Sequence, residues 1–453
     1  MLGSSNPGPG DTPAPVAHSG AAVEHGSPWW YTPKRLLALF CGVSFLVYLD
    51  RGVIACNGVN YGIQRDFNLS LFEDTILPAA FMVGLLIATF IYNELTKRYN
   101  AFRLVGWGFL IWALASVGCG LSTGFYTLLC WRIVMGAGEA SIINLTGPFI
   151  DDVAPPEHKT LWFGMLGLAN PLGTAAGYIF GGAIGPEYGW RSPFFVQAVV
   201  ALPVILFIFL VEPVSLRMTD NEAPLLGDAK GEATDEASER APASKQGTWG
   251  DIRVLCRHPV YLLALLANCP NTGVFGAFAY VGPKAAAELF GTKEESIDMV
   301  FGAVTIVTSV IATLVGSLLV DGAGSSIKTS MAFCGWSSVV GFLVIEAAFN
   351  LPGHLGIPYS FTAFMALFAL GELTIFANTA PTLTVQVWAV PLHLRSLASG
   401  LAQVASHVLG DVPYPPLVGF FQDKVLHNWQ LTLSLLNLTL FVSQHSRVRI
   451  WRG

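Results

Sequence analysis

Four ionisable residues lie in runs of sequence otherwise too apolar to hold them. Asp50 and Arg51 adjoin in one hydrophobic run, and Arg132 and Glu139 stand seven residues apart in another. On insertion scales a charge at the centre of a membrane helix lies about 2.5–3.5 kcal/mol uphill, so each needs a partner, a wet cavity or a task. Neighbouring residues on a helix project about 100° apart. Asp50 and Arg51 therefore cannot neutralise each other face to face, and one can meet a second helix while the other faces a cavity. Seven residues are about two turns, which puts Arg132 and Glu139 on one face. The small residues Gly136-Ala-Gly-Glu-Ala-Ser141 around Glu139 permit close helix contact. A low-dielectric site disfavours the ionised carboxylate and a neighbouring guanidinium favours it, a balance suited to proton or ion coupling. The plainer alternative is an ion pair clamping two helices. Coupling is the stronger reading, because intramembrane charges usually mark pathways.

The second half of the chain is sparser. His407 and Asp411, four apart, face the same way. Asp411 reads as a structural or gating residue rather than a direct coupling group, and His407 as a hydrogen-bonded packing residue. Glu372, midway along another run, fits coupling and structure equally. Asn268-Cys-Pro-Asn-Thr-Gly273 is expected to interrupt its run, since proline deletes a backbone donor and crowds the preceding turn. Such a break is tolerated where it borders protein or a wet cavity. Asn268, Asn271 and Thr272 are therefore candidates for a substrate path or hinge, with a plain kink as the alternative. Gly173, Gly177 and Gly181 form a smooth stripe for helix crossing. The seven cysteines fall mostly in apolar runs without metal-ligand spacing and read as buried thiols.

Membrane helices must position these residues. Hydrophobic residues make up 53% of the 453 and charged residues 12%, against roughly 25% charged in a typical soluble chain. A formal charge of −6 argues against a nucleic-acid face. Apolar runs near 20 residues match the ~30 Å hydrocarbon core, and backbone groups in lipid must bond internally, so the runs read as helices. The expected spans are 36–56, 74–94, 103–122, 125–149, 160–184 and 192–212, then 259–282, 297–320, 329–349, 358–382, 395–420 and a short 429–443. Residues 1–35 read as a disordered tail with no signal peptide. Residues 213–258 read as a charged, solvated linker between six-helix units at 36–212 and 259–443, and 444–453 as a short polar tail. Pro155, Lys159 and Thr160 recur as Pro391, Arg395 and Ser396, and Trp190 recurs as Trp429, at offsets of 236 and 239 residues. Similar offsets point to a duplicated unit.

With both termini on one side, that side carries 17 of the 24 Lys and Arg residues. The termini and linker are therefore expected to be cytoplasmic. Asn68-Leu-Ser would then lie on the opposite face, as a glycosylation sequon that is as readily unused as used.

Five motifs together resemble the major facilitator superfamily and, within it, the spinster-like branch of lipid transporters. They are Tyr48-Leu-Asp-Arg51, Arg132-(x)6-Glu139-Ala-Ser, Gly177-Tyr-Ile-Phe-Gly181, His407-Val-Leu-Gly-Asp411 and Pro415-Pro-Leu-Val-Gly419, in a similarity running from about residue 36 to 435. The resemblance implies an all-α membrane protein of two pseudo-symmetric six-helix bundles that rock around a central cavity. It further implies a lipid-like amphiphile of the sphingolipid or lysophospholipid class as substrate, moved with protons, and it matches Asp50, Arg51 and Glu139 to positions implicated in coupling. A monomer among membrane lipids is expected, in a late endosomal or lysosomal membrane or the plasma membrane, with no cofactor, metal or nucleic acid.

Two features depart from the family pattern. Lys97 stands where the loop after the second span usually carries an acidic residue, and the apolar run of the last span stops after Phe441. Some 14 residues rise about 21 Å, short of the bilayer core, so the twelfth helix is expected to be truncated. Two other functions stay open: the same fold carrying a sugar, peptide or organic anion, and a non-transporting receptor or membrane enzyme. Against the enzyme, the chain has no His-Glu-x-x-His, no phosphate-cradling loop and no Gly-x-Ser-x-Gly elbow.

Overall fold

The computed structural model of the chain describes residues 30–96, 98–154, 159–214, 248–291, 294–323, 326–355, 361–391 and 394–452. The expected tail up to residue 29, the linker from 215 to 247 and Lys97 lie outside the described residues. The first bundle comprises α1 (Pro33–Ala55), α2 (Asn57–Phe67), α3 (Leu71–Leu95), α4 (Ala101–Gly120), α5 (Phe125–Val153), α6 (Lys159–Tyr188) and α7 (Ser192–Leu210). After the short α8 (Thr248–Leu255), the second bundle comprises α9 (Pro259–Phe290), α10 (Glu294–Gly322), α11 (Ile327–Leu355), α12 (Phe361–Phe376), α13 (Thr379–Trp388), α14 (Arg395–Ser406), α15 (Tyr414–Phe420) and α16 (Trp429–Arg452). Among the described residues, eight helices are long and apolar enough to cross a membrane. Their outward surfaces carry large apolar side chains such as Phe90, Leu114, Leu318 and Trp336, as lipid-facing helices should.

Local sequence sets where helices begin and end. Thr32 caps α1 and Pro33 occupies its first turn. Ser70 and Glu73 form a reciprocal capping box at α3, and the Asn100 side chain accepts from the N–H groups of Phe102 and Arg103 at α4. Cys56, in extended conformation, separates α2 from α1. Gly291, at φ +59°, closes α9 in the left-handed region open to glycine.

Inside the first bundle, α1 lies along α6, and α5 is sandwiched between α3 and α4. The glycine stripe explains the first contact. A Cβ on Gly177 would collide with the backbone of Leu49 and Gly52, and one on Gly173 with Phe45 and Tyr48. The bundles meet along two seams, α3 against α15 and α6 against α10. These are spans two with eleven and five with eight, pairings that exchange when the halves exchange, in keeping with the duplicated unit.

Three details differ from the sequence reading. Asn268–Gly273 does not interrupt its span, because α9 runs unbroken through Pro270. The Thr272 hydroxyl donates to the Asn268 carbonyl at 3.2 Å and the Cys269 thiol to Leu265 at 3.3 Å, carbonyls on either side of Leu266, whose helical donor Pro270 removes. The discontinuity falls in the tenth span instead, between α12 and α13, where Asn378 donates to Ser338 at 2.9 Å and accepts from the Ser337 hydroxyl. The eleventh span is likewise irregular, with π-helical turns at His407–Asp411 and Phe421–Leu426. Second, the twelfth helix continues past its apolar part to Arg452. Third, Cys130 and Cys256 are exposed, while Cys56, Cys119, Cys269 and Cys334 are buried as expected.

Candidate functional site

The four charges of the first bundle converge. Asp50 Oδ2 accepts from Arg132 Nη1 at 2.5 Å, and Arg51 Nη2 donates to Glu139 Oε1. Helices α1 and α5 thus exchange two crossed ion pairs rather than Arg132 neutralising Glu139 along its own helix face. The carboxylates and Arg132 are within 1% of complete burial, whereas the Arg51 side chain is 19% exposed. Phe81 of α3 lies beneath both guanidiniums, its ring centre 5.3 Å from Arg51 and 4.9 Å from Arg132, and the Tyr48 ring is 4.7 Å from Arg51. Cation–π contact in a desolvated setting adds to the ionic attraction.

Glycines make this convergence feasible. A Cβ on Gly136 would strike the backbone of Phe81, and one on Gly138 would strike Gly108 and Trp112. Close approach of α3 and α4 to α5 depends on their absence. One oxygen of each carboxylate, Asp50 Oδ1 and Glu139 Oε2, is buried and accepts no hydrogen bond. The arrangement therefore offers two proton acceptors whose ionised forms are each held by one guanidinium, in a low-dielectric setting.

Across the bundle gap, His407 Nδ1 and Asp411 Oδ2 lie 2.6 Å apart within the first π-helical turn, and the opposite ring nitrogen lies 2.6 Å from Gln403 Nε2. The π-turn packs against α9, where a Cβ on Gly276 would reach the Asp411 carboxylate. Asn268 donates to the Ser406 hydroxyl at 3.0 Å, tying α9 to α14. Asn271 and Thr272 are half-buried on α9 one turn further along.

Glu372 stands apart from both groups. Its carboxylate accepts from Thr308 at 2.8 Å and Thr305 at 3.2 Å, and no cationic side chain pairs with it among the described residues. It borders a cavity between the bundles, where Thr174 and Tyr178 of α6 face Phe275, Phe301 and Phe376 of the second bundle. The surface is aromatic, with one carboxylate and a few hydroxyls. Among the described residues no cluster of His, Cys, Asp and Glu could hold a metal.

A further polar group escaped the sequence reading because its members sit near span ends, where charge is ordinary. Asp298 accepts from Asn57 N at 3.0 Å and Gly58 N at 3.2 Å. Tyr280 donates to Asp74 Oδ1 at 3.0 Å, and Asn60 donates to Asp74 Oδ1 at 2.9 Å and to Tyr280 at 3.1 Å. Lys284 donates to Gln64 at 2.5 Å, and Phe72 N donates to Asp423 at 2.7 Å. Apart from Asn60–Asp74, which lies within the first bundle, these bonds join the bundles on the face away from the linker. A signal existed: Asn57, Asn60 and Gln64 recur at helical spacing immediately after an apolar run, an unusually polar stripe for a span end.

Comparison with known proteins fits this geometry. The Major Facilitator Superfamily pattern matches residues 40–411. A "Probable sphingolipid transporter spinster homolog 2" of Arabidopsis thaliana is 38% identical over 431 residues, covering 91% of this chain and 86% of the relative. "Protein spinster homolog 1" of Homo sapiens is 25% identical over 412 residues, covering 87% of this chain and 74% of the relative. Among solved structures, a bacterial homologue of the human lysosomal transporter Spinster, captured inward-facing and unoccupied, superposes with a TM-score of 0.73 at 17% identity, covering 94% of this chain and 98% of that one.

Proposed function

We propose, from the premise that this chain belongs to the major facilitator superfamily and to its spinster-like branch, that it carries a lipid-like amphiphile across a membrane by proton-coupled alternating access. That it is a multi-pass membrane transporter rather than an enzyme follows from the family. The crossed ion pairs of Asp50, Arg51, Arg132 and Glu139 carry the coupling reading. Protonation of Glu139 removes the charge that holds Arg51, whose side chain, unlike those of its three partners, is partly exposed and so free to turn elsewhere. Release of one carboxylate–guanidinium pair is then tied to the bias between two bundle arrangements.

The amphiphile reading rests on the cavity beside Glu372. The cavity holds only about 30 Å³ in this arrangement, so cargo enters when the bundles part. Phenylalanine side chains from α9, α10 and α12 then offer an apolar wall for a chain, and Thr174, Tyr178, Thr305 and Glu372 polar contacts for a headgroup. The names of the plant relatives point the same way. Asn268, Asn271, Thr272, His407 and Asp411 belong to the second bundle's share of this path, with His407 and Asp411 in a gating role. The protein works as a monomer, with its termini and linker in the cytoplasm, in a late endosomal or lysosomal membrane or the plasma membrane.

Reconstitution with labelled sphingoid and lysophospholipid substrates across an imposed pH gradient tests the reading. Saturable uptake of one such class that collapses with the gradient is the expected result. Saturable binding of a sugar, peptide or organic anion, with none of the lysolipids, would transfer the assignment to a polar solute.

A further inference from the structure

The face of the molecule away from the linker is closed by a one-sided arrangement. The first bundle presents the starts of two helices, α2 and α3, and the second bundle presents a carboxylate to each. Asp298 of α10 takes the first two N–H groups of α2, from Asn57 and Gly58, one on each oxygen. It also accepts from the Asn57 side chain at 3.0 Å. Asp423, carried on the second π-helical turn, takes Phe72 N at the start of α3. The opening turn of a helix has N–H groups without intrahelical partners and the positive end of the helix dipole, so a carboxylate there is held by both effects. Asp298 is completely buried in this position.

Helix α2 is a fixed receptor rather than a mobile flap. A Cβ on Gly58 would press on Gly181, Gly182 and Pro186 of α6, and one on Gly62 would press on Trp190. It must therefore travel with the first bundle, and parting the bundles on this face must pull Asp298 and Asp423 off the two helix starts. The Asn57–Pro283 and Lys284–Gln64 bonds would break in the same movement.

We infer that Asp298 and Asp423 are paired latches that hold this face shut, each a carboxylate of one bundle seated on a helix N-terminus of the other. Opening of the face proceeds by releasing them. The inference rests on the alternating-access reading above and adds to it which bonds are exchanged.

Cys56 supplies the readout. It lies at the start of α2 beside the Asp298 contact, fully buried while the face is shut. In a background with the other six cysteines replaced, reconstituted in lipid nanodiscs, the rate of Cys56 modification by a membrane-impermeant maleimide reports opening without any transported ligand. Asp298→Ala should raise that rate about tenfold, the equivalent of about 1.4 kcal/mol in the gate equilibrium. Asp298→Asn and Asp423→Ala should raise it less, and the double variant most. Asp66→Ala, which removes an ion pair with Arg191 lying within the first bundle on the same face, should leave it unchanged.

As a second measurement, spin labels at Gly124→Cys and Asn428→Cys should gain a longer-distance population when Asp298→Asn or Asp423→Asn is added. This keeps the test available should an alanine variant fail to fold. Unchanged Cys56 rates and unchanged distances in the latch variants would overturn the inference even if transport is pH-driven. Faster Cys56 modification in a protein that carries no lysolipid would uphold the latches while removing the substrate assignment.

Discussion

The two bundles solve the problem of a buried carboxylate differently. In the first, Asp50 and Glu139 each meet a guanidinium, and Phe81 packs beneath both cations. In the second, Glu372 has two threonine hydroxyls and an aromatic cavity wall. An ion pair binds its carboxylate strongly only while both partners are charged, so protonation there has a large mechanical consequence. A carboxylate held by neutral hydroxyls keeps most of its contacts in either protonation state, which suits a group that meets cargo. The proposed function accordingly gives coupling to the first bundle and substrate contact to the second.

The largest effect should come from breaking an ion pair while leaving its other half buried. Arg132→Ala strands Asp50 and should cost about 3–5 kcal/mol of stability, measured by thermal unfolding in a fixed detergent. Asp50→Asn in the same background should recover part of that loss, because the uncompensated charge disappears. If Arg132→Ala unfolds like the parent, the pair is not buried as described.

Glu139→Gln is the next test. It keeps the shape and removes the charge that holds Arg51, so gradient-driven uptake should fall at least tenfold while folding survives, as read by size-exclusion profile and uptake rate. Glu372→Gln should act on the other side of the comparison, weakening substrate affinity several-fold with the dependence on the pH gradient retained. Should it abolish gradient dependence instead, the division of labour between the bundles is wrong.

The smallest effect belongs to Asp66, at the surface. The Trp190 indole N–H, and after it the Arg191 guanidinium, hold its carboxyl below the usual carboxylate range. A depressed folded-state value means the contribution is present above the unfolded pKa and fades as pH falls through the folded one. The side chain is about one-third exposed, so solvent screening keeps the contribution under about 0.5 kcal/mol. Thermal unfolding of Asp66→Ala should match the parent at acid pH and fall marginally below it at neutral pH.

Much of this was legible in the sequence. Apolar run lengths pointed to membrane helices, because backbone satisfaction in lipid leaves helices as the only solution for them, and eight such helices stand among the described residues. Asp50, Arg51, Arg132 and Glu139 stood out because insertion makes such charges costly. Their partners were not legible: helical periodicity says which face a residue occupies, and the crossed pairing depends on how α1 and α5 pass each other. Pro270 was expected to break its span but did not: α9 runs on through it with a single helical hydrogen bond lost, a cost that sequence alone does not weigh against the packing of the helix. The break at Asn378 did carry a signal, Pro381, which sits in the first turn of α13 and has no N–H for the Ala377 carbonyl, whereas the serines that stabilise it lie on α11. Asp298 and Asp423 were missed because carboxylates near span ends need no special explanation until the opposing helix starts are in place.

The central claim is that ionisation of the α1–α5 charges powers the movement. It is tested most directly by comparing two assays on one reconstituted variant, Glu139→Gln: accumulation of labelled lysolipid driven by a pH gradient, and exchange of the same lipid at equal pH. The account expects accumulation to vanish while equal-pH exchange persists, since the carrier would still rock without its proton. Accumulation undiminished in Glu139→Gln and in Asp50→Asn would contradict it.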